Sequence, residues 1–259
     1  MVLKSIVLAV FAFTLSMNLT AQDAKYLRNC QELRGAGLTE LPDSLFDKSL
    51  LELAKIFNTD KQTSWHNFID TYNRNFAPIQ DSVEKILEIG IFNGASHKMW
   101  KCFFHNAEVY GIDIKQKPWV EQLGIHTYIA NQANREQLQG FIDEYKGGFD
   151  IIVDDGGHWM NHQQVSLGFL FKHLKPGGLF IIEDVHTSIP KFYKGFGVDA
   201  TQSNTTLKMI NDYITTEKIV SEYLLPEEIK YLEQDIEYVE LMKRKNGLHS
   251  TLCVFRKKK

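Results

Sequence analysis

The segment FDIIVDDGGH at residues 149–158 decides the predicted fold. Its first five residues form a strand-length run that is apolar enough to be buried on both faces, and its Gly pair indicates a turn. A helical stretch follows at 162–174 and is closed by Pro176-Gly177-Gly178. The run LFII at 179–182 then predicts another strand. A strand, a helix and a strand in this order predict a βαβ unit with parallel strands.

The same alternation continues on both sides of this unit. Apolar runs predict further strands at 85–90, 108–113, 126–129, 236–243 and 250–256. Apolar spacing predicts helices within 38–76 and at 96–104, 135–145 and 205–224. Asn246-Gly247, between the last two strands, is a strong hairpin signal. We therefore predict an α/β fold with a doubly wound, mostly parallel sheet that ends in an antiparallel hairpin.

Length and composition are consistent with that fold. The chain has 259 residues, of which 44% are hydrophobic, so it has enough apolar surface to form a core. Its net charge of -3 gives no electrostatic indication of a nucleic-acid partner. We divide the chain into a predicted signal peptide at 1–21, a helical N-terminal segment at 22–80 and a sheet domain at 81–259.

The N-terminus has the pattern of a secretory signal. Lys4 precedes an apolar run at 6–17, and Ala21 offers a small residue for cleavage. The run is too short for a transmembrane helix, which needs about 20 apolar residues. We expect an exported or periplasmic protein with no stable membrane span after cleavage. An uncleaved anchor stays open, as does a cytoplasmic protein with a misassigned start codon.

The loop after the first predicted strand can approach a ligand closely. Gly90 and Gly94 permit sharp turns there, and the next helix begins near Ser96 with free N–H groups. The Gly-x-x-x-Gly spacing differs from G-x-G-x-x-G, which disfavours a nicotinamide cofactor. Asp113 ends the second strand, where an acid can accept hydrogen bonds from a ribose diol. A purely structural turn and a capping Asp113 are the alternatives.

Acidic residues follow the fourth and fifth predicted strands. Asp155, Glu183 and Asp184 should lie close together, and three carboxylates cannot all stay ionised at close range without a cation. Oxygen ligands of this kind suit Mg²⁺ or another hard divalent cation. His158 would then lie beside the ion as a candidate general base. Solvated loop acids are the alternative.

Together these motifs resemble the class I S-adenosylmethionine-dependent methyltransferases, which have a Rossmann-like sheet. The segments DDGGH at 154–158, PGGLFIIED at 176–184 and NTDK at 58–61 are similar to those of the metal-dependent macrolide sugar O-methyltransferases of the mycinamicin type. The resemblance implies a Mg²⁺ site at Asp155, Glu183 and Asp184 with His158 as the base. The predicted methyl-donor contacts are Glu88, Gly90, Gly94, Ser96, Asp113, Asn131, Gln132 and Asp154.

The chain departs from that pattern in three places. Gly157 replaces a serine, Asn131 stands where an acidic residue is expected, and the loop at 187–197 after the acid pair is short. We see no counterpart of the large N-terminal substrate-recognition region of the macrolide enzymes in this sequence, so a macrolide acceptor is not implied. Lys61 and His66 could cover the site, or they could lie on the surface.

The resulting prediction is a metal-dependent O-methyltransferase that uses S-adenosylmethionine and a small-molecule hydroxyl acceptor, a sugar or another diol. Homo-oligomerisation stays open. The alternative is an exported, non-catalytic binding protein on a methyltransferase scaffold, which the signal-like N-terminus favours because S-adenosylmethionine is an intracellular metabolite.

Overall fold

A computed structural model describes residues 32–35, 37–191, 194–243 and 250–259. Within these residues, seven strands form one sheet in the order β3-β2-β1-β4-β5-β7-β6. The strands β1 to β5 are parallel, and β7 is antiparallel to both β5 and β6. The strands are β1 (Lys85–Ile89), β2 (Glu108–Asp113), β3 (His126–Ile129), β4 (Phe149–Asp154), β5 (Leu174–Ile182), β6 (Ile236–Lys243) and β7 (Thr251–Lys257).

Helices cover both faces of this sheet. They are α1 (Leu50–Phe57), α2 (Ile69–Phe76), α3 (Ala95–Phe103), α4 (Pro118–Glu121), α5 (Arg135–Tyr145), α6 (Met160–Leu170), α7 (Thr206–Thr216) and α8 (Pro226–Asp235). The helices α1 to α3 pack in one core with Ile151 and Val153 of β4, whereas α5 to α8 pack in a second core with Ile152. Alternate residues of β4 therefore enter opposite cores, which explains its continuous apolar run.

The strand order reverses between β1 and β4, and this reversal indicates where a ligand would bind. The chain runs from β1 outward through β2 to β3, then returns to place β4 on the other side of β1. Ligands of open α/β sheets bind beyond the carboxyl ends of the strands at such a reversal. The loops after β1 and β4 carry Gly90 and Asp155, respectively.

The predicted fold class is confirmed, with shifts at several element ends. The strand β5 begins at Leu174 and contains Pro176-Gly177-Gly178, which the sequence had indicated as a helix end. The predicted helix at 205–224 ends at Thr216, because Glu217 adopts a left-handed conformation with φ of 57°. The helical pattern within 38–76 is divided between α1 and α2, and Asn58 ends α1 with a positive φ.

Two features predicted from the sequence lie outside the described residues. They are the signal segment at 1–21 and the Asn246-Gly247 turn between β6 and β7. The described helices are each too short or too polar to cross a membrane.

Candidate active site

Two cavities open at the carboxyl ends of β1 and β4. The first has a volume of about 340 Å³ and extends towards the end of β2. The second has a volume of about 480 Å³ and extends towards the loop after α1. Gly90, Phe92, Asp155 and Gly156 line both cavities. A ligand in one cavity would therefore lie next to a ligand in the other.

Gly90 allows the backbones of the two loops to approach each other. Its φ is +93°, and a Cβ atom at this position would lie 2.1 Å from the carbonyl oxygen of Asp155. Every residue other than glycine would clash there, and an L-residue would also be strained at this φ. Gly94 has a φ of +75° at the start of α3, and a Cβ there would lie 2.3 Å from Cγ1 of Val120. Both glycines are thus required by geometry.

Asp113 lines the first cavity and also holds the loop after β1. Its Oδ2 accepts hydrogen bonds from the backbone N–H groups of Ile91 at 3.1 Å and Phe92 at 3.2 Å, and its Oδ1 accepts from Lys115 N–H at 2.9 Å. Partial burial alone would raise the pKa of Asp113, but these backbone hydrogen bonds and Lys117 hold it below its ordinary value. The carboxylate therefore stays ionised at the cavity wall.

Gln132 connects the first cavity to the loop after β4. Its Nε2 donates hydrogen bonds to Asp154 at 2.8 and 3.0 Å, and its Oε1 accepts from Gly157 N–H at 2.8 Å. Asp154 is fully buried and also accepts from Ser166. Asp154 therefore fixes the position of this loop from behind, while Gln132 and Asn131 line the cavity.

Lys61 lies in the middle of three carboxylates. Its Nζ is 2.5 Å from Asp155 Oδ2, 2.9 Å from Glu183 Oε1 and 3.2 Å from Glu88 Oε1. The Lys61 side chain is fully buried. Burial alone would lower its pKa, but Asp155, Glu183 and Glu88 raise it well above the ordinary value, so the ammonium is charged. Of the two roles considered for Lys61, surface exposure is therefore wrong.

Aromatic residues complete the surroundings of these carboxylates. Tyr72 donates a hydrogen bond to Glu183, and Trp100 Nε1 donates to Glu88 Oε2 at 2.9 Å. His97 Nδ1 lies 3.2 Å from the same Glu88 oxygen. Burial raises the pKa of Tyr72 well above its ordinary value, and the Glu183 charge adds to the shift, so the hydroxyl remains a donor.

A second group of ligand atoms lies beside the second cavity, which two of its members, Asp155 and His158, line. Asp155, His158 and Asp184 each offer one ligand atom within 4.8 Å of the others. His158 Nε2 lies 3.5 Å from Asp184 Oδ2 and 4.0 Å from Asp155 Oδ1. His158 and Asp184 both have positive φ, at 56° and 55°, an uncommon conformation that often occurs at functional sites. Asp184 Oδ1 and His158 Nδ1 are buried without a hydrogen-bond partner among the described residues. The carboxylate oxygens of Asp155 and Asp184 are the kind of ligand that a hard divalent cation prefers.

The three predicted metal ligands thus divide between two groups. Asp155 belongs to both, Asp184 lies with His158, and Glu183 lies with Lys61 and Glu88. Asp184 has two further imidazoles nearby, with Nδ1 of His66 and of His186 each 3.8 Å from its Oδ1.

The predicted donor-binding residues are divided between the two cavities and the protein interior. Gly90, Asp113, Asn131 and Gln132 line the first cavity, and Ser96 lines the second. Glu88, Gly94 and Asp154 line neither cavity. Phe92, which lines both cavities, and His162, which lines the first, were not among the predicted site residues. The positive φ of Phe92, at 49°, could not be read from its residue type.

Comparison with known proteins agrees with this geometry. No family model matches the chain. It is 37% identical over 165 residues to demethylmacrocin O-methyltransferase of Streptomyces fradiae, covering 61% of this chain and 41% of the relative. It is 36% identical over 175 residues to mycinamicin VI 2''-O-methyltransferase of Micromonospora griseorubida, covering 64% and 43%.

A solved structure gives the corresponding three-dimensional match. MycE methyltransferase from the mycinamycin biosynthetic pathway, in complex with Mg, SAH and mycinamycin VI, superimposes with a TM-score of 0.66 at 30% identity over 82% of this chain and 55% of that chain. The chain has a class I methyltransferase fold. The resemblance to the sugar O-methyltransferases is therefore confirmed. The chain spans less than half the length of the curated relatives it matches.

Proposed function

We propose that the protein is an S-adenosylmethionine-dependent, divalent-metal-dependent O-methyltransferase that acts on a hydroxyl group of a small molecule, a sugar or another diol. The observation that carries the proposal is the position of Asp155. It lies on the wall common to both cavities and belongs to the group with His158 and Asp184. A methyl donor in one cavity and a hydroxyl acceptor in the other would therefore both lie next to this group of side chains.

The first cavity supports donor binding. Its volume falls in the range of small-molecule sites, and Gly90 brings the backbone close to any molecule within it. Asp113 presents an ionised carboxylate at the end of β2, where it can accept hydrogen bonds from a ribose diol. SAH in the related MycE structure supports the same kind of ligand.

The second cavity supports acceptor binding. Asn58, Asp60 and Ser96 give it polar groups that can hydrogen-bond to a hydroxylated molecule. Trp65 is 60% exposed at its edge and offers an aromatic face. Asp155 and Asp184 would hold the divalent cation, which when bound would act as a Lewis acid that lowers the pKa of the acceptor hydroxyl. His158 also lines this cavity and would take the hydroxyl proton as general base.

In the proposed reaction, the protein also contributes by holding the donor and the acceptor close together in the right orientation. The donor sulfonium is already an electrophile, so the protein has to align the acceptor oxygen with the methyl carbon and the sulfur. The rigid loops around Gly90 and Asp155 are suited to this, because each is fixed by backbone contacts and by Asp113 and Asp154, respectively.

The experiment that tests this proposal measures methyl transfer to a panel of sugar diols and catechols, with and without chelator. We expect chelator-sensitive transfer in the wild type and loss of transfer in Asp155→Asn and Asp184→Asn. The exposed acid Asp143 gives a matched control, and Asp143→Asn should leave transfer unchanged. Chelator-insensitive transfer would contradict the metal dependence. Normal SAH binding without transfer to the whole panel would favour the binding-protein alternative.

A further inference from the structure

The imidazole of His162 lies at the wall of the first cavity, in the first turn of α6. Neither of its ring nitrogens forms a hydrogen bond within the described residues, and Nδ1 is buried. Burial lowers the pKa of His162, and the neighbouring His158 adds to the shift, so the ring is neutral near pH 7. A neutral imidazole has one donor nitrogen and one acceptor nitrogen. The ring therefore has hydrogen-bonding capacity that the described residues leave unused.

Gly157 allows the imidazole to occupy this position. A Cβ atom on Gly157 would lie 2.2 Å from Nδ1 of His162 and 2.8 Å from its Cε1, so a larger residue would displace the ring. The backbone N–H of Gly157 donates to Gln132 Oε1 at 2.8 Å, which holds the loop after β4 beside the ring. The glycine that stands in place of the family's serine thus has a structural counterpart in the imidazole.

The part of the first cavity beside His162 is suited to the base of the methyl donor. Ile112, Ala130, Asn131 and His162 line the first cavity but not the second. In the proposed reaction the sulfonium faces the acceptor in the second cavity, so the base lies in the part of the first cavity that the second does not share. Ile112 and Ala130 give that part an apolar surface for a flat ring.

Adenine has an exocyclic amine that needs a hydrogen-bond acceptor, and the polar side chains next to His162 are already engaged. Asn131, which stands where an acid is expected, uses its Oδ1 to accept a backbone N–H at 2.9 Å. Gln132 donates to Asp154 at 2.8 Å and accepts from the backbone N–H of Gly157. The acceptor nitrogen of His162 has no such partner within the described residues.

We propose that His162 positions the methyl donor by accepting a hydrogen bond from the exocyclic amine of its adenine. The inference rests on the proposed function for the identity of the donor. A contact at the base end of the donor fixes the distance between the reacting methyl group and the second cavity, because the two ends belong to one molecule. His162 thereby supplies the acceptor that Asn131 does not.

The test measures the binding of two ligands to the full chain by calorimetry. One is SAH, and the other is the SAH analogue with purine in place of adenine, which lacks the exocyclic amine. We expect the wild type to bind SAH about tenfold more tightly than the analogue, because the analogue leaves the acceptor unpaired. His162→Phe keeps a flat ring but has no ring nitrogen, so it should bind the two ligands within about twofold of each other.

Two further variants separate this contact from general damage. Gly157→Ala leaves His162 in the chain, but the new Cβ would displace the imidazole, so the preference for SAH should fall towards that of His162→Phe. His105→Phe changes an exposed histidine that lines neither cavity, and it should keep the preference of the wild type.

Two results would overturn the inference. One is a wild type that binds both ligands equally well, and the other is a folded His162→Phe protein that keeps the preference of the wild type. The wild-type comparison decides the matter even where His162→Phe does not fold. A wild type that binds neither ligand would contradict the proposed function and the inference with it, whereas SAH binding without preference would contradict only the role of His162.

Discussion

Substitution of Gly90 by alanine should damage the site through the backbone of Asp155. The new Cβ would lie 2.1 Å from the Asp155 carbonyl oxygen. Real Cβ atoms essentially never approach another heavy atom within 3.0 Å, so the two loops must separate by about 1 Å. The positive φ adds a strain of roughly 1–2 kcal/mol, and overpacking adds about 1–3 kcal/mol. We therefore expect the free energy of unfolding to fall by about 2–5 kcal/mol.

Gly124→Ala provides the matched control. Gly124 also has a positive φ, of +70°, but the nearest atom to a Cβ there is the flexible Lys101 Nζ at 4.0 Å. The free energy of unfolding of Gly124→Ala should therefore fall only by the backbone strain, about 1–2 kcal/mol. Urea unfolding gives the stabilities, and calorimetry gives the Mn²⁺ and SAH affinities. Gly90→Ala should bind Mn²⁺ at least about tenfold more weakly, because small shifts in the support of ligands cost about 10–100-fold. Equal losses of stability and ion affinity in the two variants would refute this reasoning.

Four further predictions address other parts of the chain. His158→Ala should slow methyl transfer by about 10²–10⁴-fold if His158 is only the base. Mn²⁺ calorimetry checks this, since a parallel loss of ion affinity would make His158 a ligand instead. Tyr72→Phe removes the hydrogen-bond donor to Glu183 and should lower the free energy of unfolding in urea by about 1.5–3 kcal/mol. Tyr238→Phe, at an exposed position, should leave it almost unchanged. Equal losses in the two variants would contradict the role of this hydrogen bond. Burial lowers the pKa of His173 from 6.5 to about 4. Between these pH values the unfolded state binds a proton at His173 and the folded state does not, so the free energy of unfolding should fall as the pH drops from about 6.5 to about 4. His173→Gln should reduce that fall in acid-denaturation curves, and an unchanged slope would exclude His173 as a cause. If residues 1–21 are an export signal, N-terminal sequencing of the natively expressed protein should begin near Gln22; an intact Met1 on a cytoplasmic protein would contradict export.

The sheet was predictable because its central strands are short, continuous apolar runs. Ile151, Ile152 and Val153 enter two cores in turn, and such a strand reads as apolar throughout. The start of β5 was not predictable, because Pro176-Gly177-Gly178 is usually a break, yet here it lies at the edge of the pairing with β4, where the register is irregular.

The position of a residue at the cavities was predictable from sequence where the residue follows the end of a strand, and less so where it lies inside a strand. Gly90 and Asp155 extend beyond β1 and β4, so topology alone brings them to the crevice. Glu88 lies inside β1 on the same face as Ile86, so its side chain enters the core beside Trp100 rather than the cavity. A buried lysine such as Lys61 cannot be recognised from sequence, because its partners are 27 to 122 positions away along the chain.

The long sequence separation of these contacts has a consequence for synthesis of the protein. Lys61 and Tyr72 emerge from the ribosome long before Glu183, which lies 111 residues after Tyr72. During that interval α1 and α2 can pack only against the strands already made, and Lys61 lacks its contact with Glu183. The cluster of carboxylates around Lys61 can close only after β5 has been made. Contacts so distant in sequence also slow folding, because the entropy of closing a long loop is lost before any of them forms.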